Sequence, residues 1–335
     1  MTESWRALAK PSRILVTGAA GFVGFHLCKQ LLADGHTVLG IDNLNDYYAV
    51  QLKRDRLEQL QKLSGFAFSE LSIHTEDYTK AHADFKPDIL VHMAAQAGVR
   101  YSIDNPWVYV ESNLIGFQRL LETLRAYPVR HFVFASSSSV YGKNAQVPYK
   151  VTDRTDQPVS LYAATKKSNE LIGSTYAHLF KIPMTGLRFF TVYGSWGRPD
   201  MAYFSFTKKI LQDSPIQVFN HGRLKRDFTH IRDIVESIRR LIHLPPSGEV
   251  PYRLLNIGAS QPVELMDFIR TLEDLLGKRA HLEMKPMQPG DVLQTYADTR
   301  ELEELTGHKP QIDLHQGLRE FASWYRDTDA GSKYL

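Results

Sequence analysis

The sequence predicts a doubly wound α/β protein: a parallel sheet with helices on both faces and a smaller lobe woven into it. Three observations carry that expectation. Short apolar runs recur along the first part of the chain, helix-length amphipathic segments separate most of them, and the first run enters a glycine-rich turn that opens a helix. The runs are Arg13–Thr17, Thr37–Asp42, Ile89–Met93, His131–Ser136 and Met184–Phe189. Strands so poor in polar positions need cover on both faces, and right-handed crossovers supply it.

After about residue 195 the rhythm becomes irregular, with Gly/Pro loops at Ser195–Pro199, Leu244–Pro251 and Met287–Asp291. At 335 residues the chain also exceeds the roughly 250–300 that one core supports. The expected division is a dinucleotide-binding domain over 1–194 with a return segment near 223–245, and a smaller substrate lobe from 195–222 and 246–335. No repeat or Pro-rich linker separates independent modules.

Composition excludes several classes. Forty basic against 37 acidic side chains leave a formal charge of +3, too small and too dispersed for a nucleic-acid surface. No window approaches the roughly 18 apolar residues of a membrane span, and Met1 to Arg13 holds no apolar leader, so a cytoplasmic protein is expected. The single Cys28, among Leu27, Leu31 and Leu32, reads as a buried thiol in a helix. Nothing calls for a metal.

The first strand leads into Gly18-Ala-Ala-Gly21-Phe22-Val23-Gly24, and Phe25 to Leu32 continues as a helix. Such a turn lets backbone approach a pyrophosphate, while the helix N-terminus favours negative charge. The spacing departs from G-x-G-x-x-G, and a purely structural turn is the competing reading. Asp42 closes the second strand 24 residues after Gly18, where a carboxylate accepts from adenosine ribose hydroxyls. Asn43-Leu44-Asn45 offers no arginine for a 2′-phosphate, which favours NAD over NADP. Asp77 is a second candidate, toward the adenine.

Tyr162-Ala-Ala-Thr-Lys166 opens a helix after Gln157–Ser160, so tyrosine and lysine share one face. Bringing a phenol from pKa ~10 to neutrality requires about 4 kcal/mol. A cation about 4 Å away supplies that at an effective dielectric of about 20. Tyr162 is therefore the candidate base and Lys166 its expected activator. Ser136-Ser137-Ser138-Ser139 ends a strand at the carboxyl edge of the sheet, where ligands bind; a polar loop is the alternative.

With the glycine turn, Asp42, the serine run and Tyr162/Lys166 in this order, the chain resembles the extended short-chain dehydrogenase/reductases over nearly its whole length, which implies a Rossmann-like fold. The hydroxyl four positions before the tyrosine of Val140-Tyr141-Gly142 is then Ser137, which assists the base and completes a triad with Tyr162 and Lys166. Further stretches are similar to nucleotide-sugar 4-epimerases, especially those acting on UDP-glucuronate: Ala94-Ala95-Gln96-Ala97-Gly98-Val99-Arg100, Arg188-Phe-Phe-Thr191-Val-Tyr-Gly194 and Trp196-Gly-Arg198-Pro-Asp-Met201. That resemblance implies Ala94 and Ala95 at the cofactor. It implies Arg100, Ser138, Ser139, Thr191 and Arg198 at the sugar nucleotide. Arg226 would hold the UDP phosphates, Phe219 stack on uracil unless it is core, and Asp291 approach the uridine ribose. Gln288 stands where relatives often carry arginine, and Arg223 or Lys225 could compensate.

The implied reaction is NAD-dependent C4 epimerisation of a UDP-sugar, UDP-glucuronate to UDP-galacturonate, through a 4-keto sugar, in a homodimer paired through segments Pro106–Ala126 and Ser160–Phe180. A UDP-glucuronate decarboxylase or a 4-epimerase of another UDP-hexose is the nearest alternative; decarboxylating relatives place Glu at Ser138, and 4,6-dehydratases an Asp-Glu pair at Ser138-Ser139. A non-catalytic NAD-sensing regulator on this fold would be expected to have lost the triad.

Overall fold

The computed structural model describes residues 10–144, 146–287 and 292–334. Seven parallel strands form the main sheet: β1 Arg13–Thr17, β2 Thr37–Asp42, β3 Phe66–Glu70, β4 Ile89–His92, β5 His131–Ser137, β6 Met184–Phe189 and β10 Tyr252–Ile257, in the order β3-β2-β1-β4-β5-β6-β10. Side chains alternate across it. Ile14, Val16, Ile89, Val91 and Val133 enter one apolar cluster with helices Phe22–Ala33 and Ile231–Leu241. Leu15, Leu90, Phe132 and Phe134 enter another, against helices Glu76–Phe85, Gly116–Ala126 and Leu161–Phe180. Both faces are therefore dry, which is why these strands read as unbroken apolar runs.

The strand order reverses between β1 and β4, so their carboxyl ends open a crevice. The chains leaving them nearly touch: a Cβ on Gly18 would lie 2.6 Å from the Ala94 nitrogen.

The smaller lobe holds a three-stranded sheet of β7 Thr191–Tyr193, β9 Lys225–His230 and β11 Pro262–Glu264, and a two-stranded one of β8 Ile216–Val218 and β12 Leu282–Met284. Its core is aromatic, with Phe228 stacked on Phe268 at 4.5 Å and Phe204, Phe321, Trp324 and Tyr325 packed together. The division of the chain differs from the expected one. β10, assigned from the sequence to the smaller lobe, is an edge strand of the main sheet, and β9, placed in the return segment near 223–245, pairs with β7 and β11 instead. The return to the main sheet runs through helix Ile231–Leu241 and β10. The mixed run Tyr-Arg-Leu-Leu-Asn-Ile hides that strand: as an edge it needs less apolar cover, and its first half is only partly buried.

Candidate active site

The first strand stops at Thr17 because Gly18 takes φ +73°, a left-handed geometry costly for other residues. The turn is then tightened by contact. A Cβ on Gly24 would sit 2.0 Å from the Gly18 carbonyl oxygen, and one on Gly21 3.0 Å from it. Gly21 caps helix Phe22–Ala33 without offering a side-chain acceptor, and no acidic residue occupies the first turn. The N-terminus is left open to an anion in a cavity of about 280 Å³, walled also by Phe22, Val23, Asn43, Ala94 and Ala95. Asp42 closes β2 beside it, its carboxylate accepting from the Ala20 and Leu44 amides at 3.2 and 2.9 Å. Burial pushes that carboxyl up, while Lys53 draws it down. An uncapped helix start, a turn without room for Cβ atoms and a fixed carboxylate at the second strand's end fit a dinucleotide with a free 2′-hydroxyl. Asp77 does not join them. It lies exposed in the first turn of helix Glu76–Phe85, whereas Ser72, Ile73 and His74 line that end of the cavity.

Helix Leu161–Phe180 begins at Ser160, whose hydroxyl accepts from the Ala163 amide at 3.1 Å. That start sets Tyr162, Lys166 and Glu170 on one face, against three successive residues of β5. The Tyr162 phenol meets the Ser137 hydroxyl. Lys166 donates to the Ala135 carbonyl at 2.8 Å, and Ser136 donates to Glu170 at 2.6 Å. Glu170 is in turn gripped by the fully buried Arg188, at 2.8 and 2.9 Å. Ser137 also accepts from the Ser139 amide and hydroxyl, at 3.2 and 2.9 Å.

Burial pushes the Tyr162 phenol up, and Ser137 and Arg198 draw it back. The lysine is occupied by Ala135 deeper in the strand, and burial lowers its own amine to about 8.

A second cavity of about 830 Å³ lies on the other side of Tyr162, and the two share Ser137, Tyr162, Tyr47 and Arg198. Ser138, Ser139, Thr191, Arg100 and Phe219 line it. The Arg100 guanidinium stands 5.5 Å over the Phe219 ring, so Phe219 faces the cavity and is not core. Arg198 binds Asp200 through two contacts, at 3.0 and 2.5 Å, and Tyr47 donates to the same carboxylate at 3.1 Å. Its charge is thus answered inside the protein. Arg226, half-buried on β9, is not among the residues lining the cavity; it donates to the Lys225 carbonyl at 2.9 Å and lies near Tyr149, which does line it. Asp291 and Gln288 lie outside the described residues.

Sequence reasoning missed Asn113. It sits in a π-helical turn, Val110–Ile115, and clamps Gln96 from both sides, accepting from its amide at 2.9 Å and donating to its carbonyl at 3.0 Å. Its side chain also reaches Thr165 at 3.1 Å, and its carbonyl accepts from Asn169 at 2.7 Å. The cavity wall is so tied to the catalytic helix. The available signal was a polar residue on a buried helical face; π-turns often mark functional sites. Tyr47 and Arg56 were likewise unassigned, having no motif of their own, and Asp200 was unassigned within the Trp196–Met201 stretch.

Residues 14–258 match the NAD dependent epimerase/dehydratase family. The chain belongs to that family. NAD is its cofactor. Protein CapI of Staphylococcus aureus is 48% identical over 328 residues, covering 93% of this chain and 98% of CapI. A probable UDP-glucuronate 4-epimerase of Rhizobium meliloti is 46% identical over 329 residues, covering 93% of this chain and 96% of its own. Among solved structures, UDP-glucuronic acid 4-epimerase from Bacillus cereus, in complex with UDP-glucuronic acid and NAD, superposes with a TM-score of 0.87 at 34% identity, covering 94% of this chain and 99% of that one. These likenesses span both lobes, so the family member shares the sugar-side architecture as well as the dinucleotide half. No described helix of it is long and apolar enough to cross a membrane, and no group of three or more metal-ligating side chains clusters among its described residues.

Proposed function

We propose that the chain epimerises UDP-glucuronate at C4 to UDP-galacturonate through a 4-keto sugar. The carrying observation is the junction of the two cavities at Ser137 and Tyr162, with the hydroxyls of Ser138, Ser139 and Thr191 on the sugar side. Relatives named for this activity, covered over nearly their whole length, support the substrate. Gly18 to Gly24 and Asp42 would hold the cofactor, and bound NAD supplies the hydride acceptor and donor that interconverts the C4 alcohol and ketone. Tyr162 Oη takes the proton of the C4 hydroxyl, keeps it while the ketone turns its opposite face to the cofactor, and returns it to the C4 oxygen. Ser137 orients the phenol, and Lys166, held on the same helix face by the Ala135 carbonyl, favours its anion. Short neutral donors are offered to the uronate carboxylate, and the Arg198 guanidinium already carries Asp200. The same 4-keto intermediate leads to decarboxylation in the alternative reading.

Incubation with UDP-glucuronate, UDP-glucose and UDP-N-acetylglucosamine, followed by proton NMR, tests the assignment. The expected product is UDP-galacturonate without net NADH. A pentose product from UDP-glucuronate, or turnover of a neutral sugar alone, overturns it.

The same proposal includes a homodimer. Helices within residues 101–126 and 161–180 leave Trp107 80%, Leu179 60% and Leu171 58% exposed, more apolar surface than a monomer's helices need to show. Light scattering at micromolar protein is expected to give twice the chain mass.

A further inference from the structure

Behind the glycine turn two cations are buried on one face of helix Val50–Gln61: Lys53 is 4% exposed and Arg56 0%. Neither forms an ion pair with a carboxylate among the described residues. Lys53 donates to the backbone and side-chain oxygens of Asn45, at 2.7 and 2.6 Å. Arg56 donates to neutral acceptors on two sides. One is the Ala20 carbonyl in the glycine turn, at 2.8 Å; opposite it are the Trp196 carbonyl, at 3.1 and 2.5 Å, and the Gly197 carbonyl at 3.2 Å, with the Tyr48 hydroxyl at 2.8 Å. Every direction of the guanidinium is used, yet its charge has no counter-charge in contact. Such burial is costly unless something compensates it. Asp42 feels both cations and Asp46 acts on Lys53, but neither carboxylate touches Arg56, which leaves the guanidinium the cation without a counter-charge in contact. The Arg56 charge lies directly behind the peptide that precedes Gly21, where a pyrophosphate would rest, while Lys53 lines the cavity itself.

The far side of Arg56 matters equally. Trp196 and Gly197 precede Arg198, and the loop they begin carries Arg198 and Met201 to the wall shared by both cavities. Trp196 holds φ +60° and packs against Phe25 at 5.7 Å and Trp324 at 5.3 Å, so the loop has one seat and Arg56 fastens it.

We infer that Arg56 is a positioning residue for the cofactor: its charge balances the NAD pyrophosphate from behind the glycine turn, and its fork ties the seating of that pyrophosphate to the ordering of residues 195–201. Binding NAD therefore steadies the wall that faces the sugar. Nothing in this coupling depends on which sugar is turned over.

NAD-stripped wild type, Arg56→Met and Arg56→Lys are titrated with NAD, melted with and without it, and compared by amide hydrogen exchange at residues 195–201. In wild type NAD is expected to slow exchange in that loop. Arg56→Met should lose about ten- to a hundredfold in NAD affinity, the scale of hydrogen bonds from a charged group, and NAD should no longer protect the loop. Arg56→Lys should recover most of the affinity but not the protection, because one ammonium cannot bridge two backbones. An Arg56→Met protein that binds NAD as wild type does, with equal losses of melting temperature stripped and loaded, shows a structural residue only and overturns the inference. So does wild-type loop exchange that ignores NAD. Should Arg56→Met not fold, Arg56→Lys decides: loop protection equal to wild type refutes the coupling.

Discussion

The two cavities that meet at Tyr162 are walled by different parts of the chain. On the cofactor side, backbone does most of the shaping: Gly18, Gly21 and Gly24 leave no room for side chains, and the carboxylate of Asp42 is fixed by two amides. On the sugar side the wall is made of side chains delivered by separate segments, Arg100 after β4, Ser138 and Ser139 after β5, Thr191 on β7 and Phe219 after β8. A backbone-built site tolerates almost no substitution and recognises one ligand. One built from side chains can be retuned residue by residue, which suits a family whose solved members bind different UDP-sugars.

The sharpest way to break this contrast is at Gly24. Gly24→Ala should lose NAD binding and activity together, because its Cβ would meet the Gly18 oxygen at 2.0 Å; a variant that still retains NAD on purification removes the claim that backbone shape decides. Tyr162→Phe is next: turnover should fall by about 10²–10⁴ while NAD stays bound, read as activity against cofactor released on denaturation. On the sugar side the expected effects are partial. A 4-keto uronate loses carbon dioxide most readily when its C5–carboxylate bond stands perpendicular to the ketone plane, so Ser138→Ala or Thr191→Ala should shift the partition toward UDP-4-keto-pentose by roughly ten- to a hundredfold. Mass spectrometry that finds uniform slowing with no decarboxylated product refutes that role.

A smaller effect concerns the lysine between the two halves. Its amine is lowered from 10.5 to about 8 by burial, so between those values the unfolded chain binds the extra proton and stability rises with pH. The difference in melting temperature between wild type and Lys166→Met should therefore move in favour of wild type from pH 8 to pH 10.5; a flat difference would mean that the buried lysine titrates normally. The smallest change is expected from Asp77→Asn, which should leave NAD affinity within about twofold, as surface substitutions usually do.

Legibility followed the same division. The central strands and the glycine turn stood out because burial on both faces leaves nearly pure apolar runs and close backbone approach demands glycine. β3 and β10, the two edges, were obscured by their mixed composition, as half-covered strands carry fewer apolar positions. Tyr162 and Lys166 were visible through their spacing, whereas the state of the phenol was not, since it depends on burial and on Arg198, which lies 36 residues further along. The pairing of Arg198 with Asp200 neutralises a charge that the sequence shows only as an arginine, and Asn113 works through contacts with Gln96, Thr165 and Asn169 that no local pattern announces.

The position of β10 has a consequence for how the protein is made. The cofactor domain's sheet is closed at one edge by residues 252–257, after the chain has already passed through β7, β8 and β9 of the other lobe. Until Ile257 leaves the ribosome, β6 is an open edge with unpaired backbone groups, so the nascent chain must carry an unfinished sheet while the second lobe is being synthesised. Truncations that end before residue 252 should accordingly yield aggregating fragments and no independent nucleotide-binding domain, and chaperone dependence during translation should end at that strand.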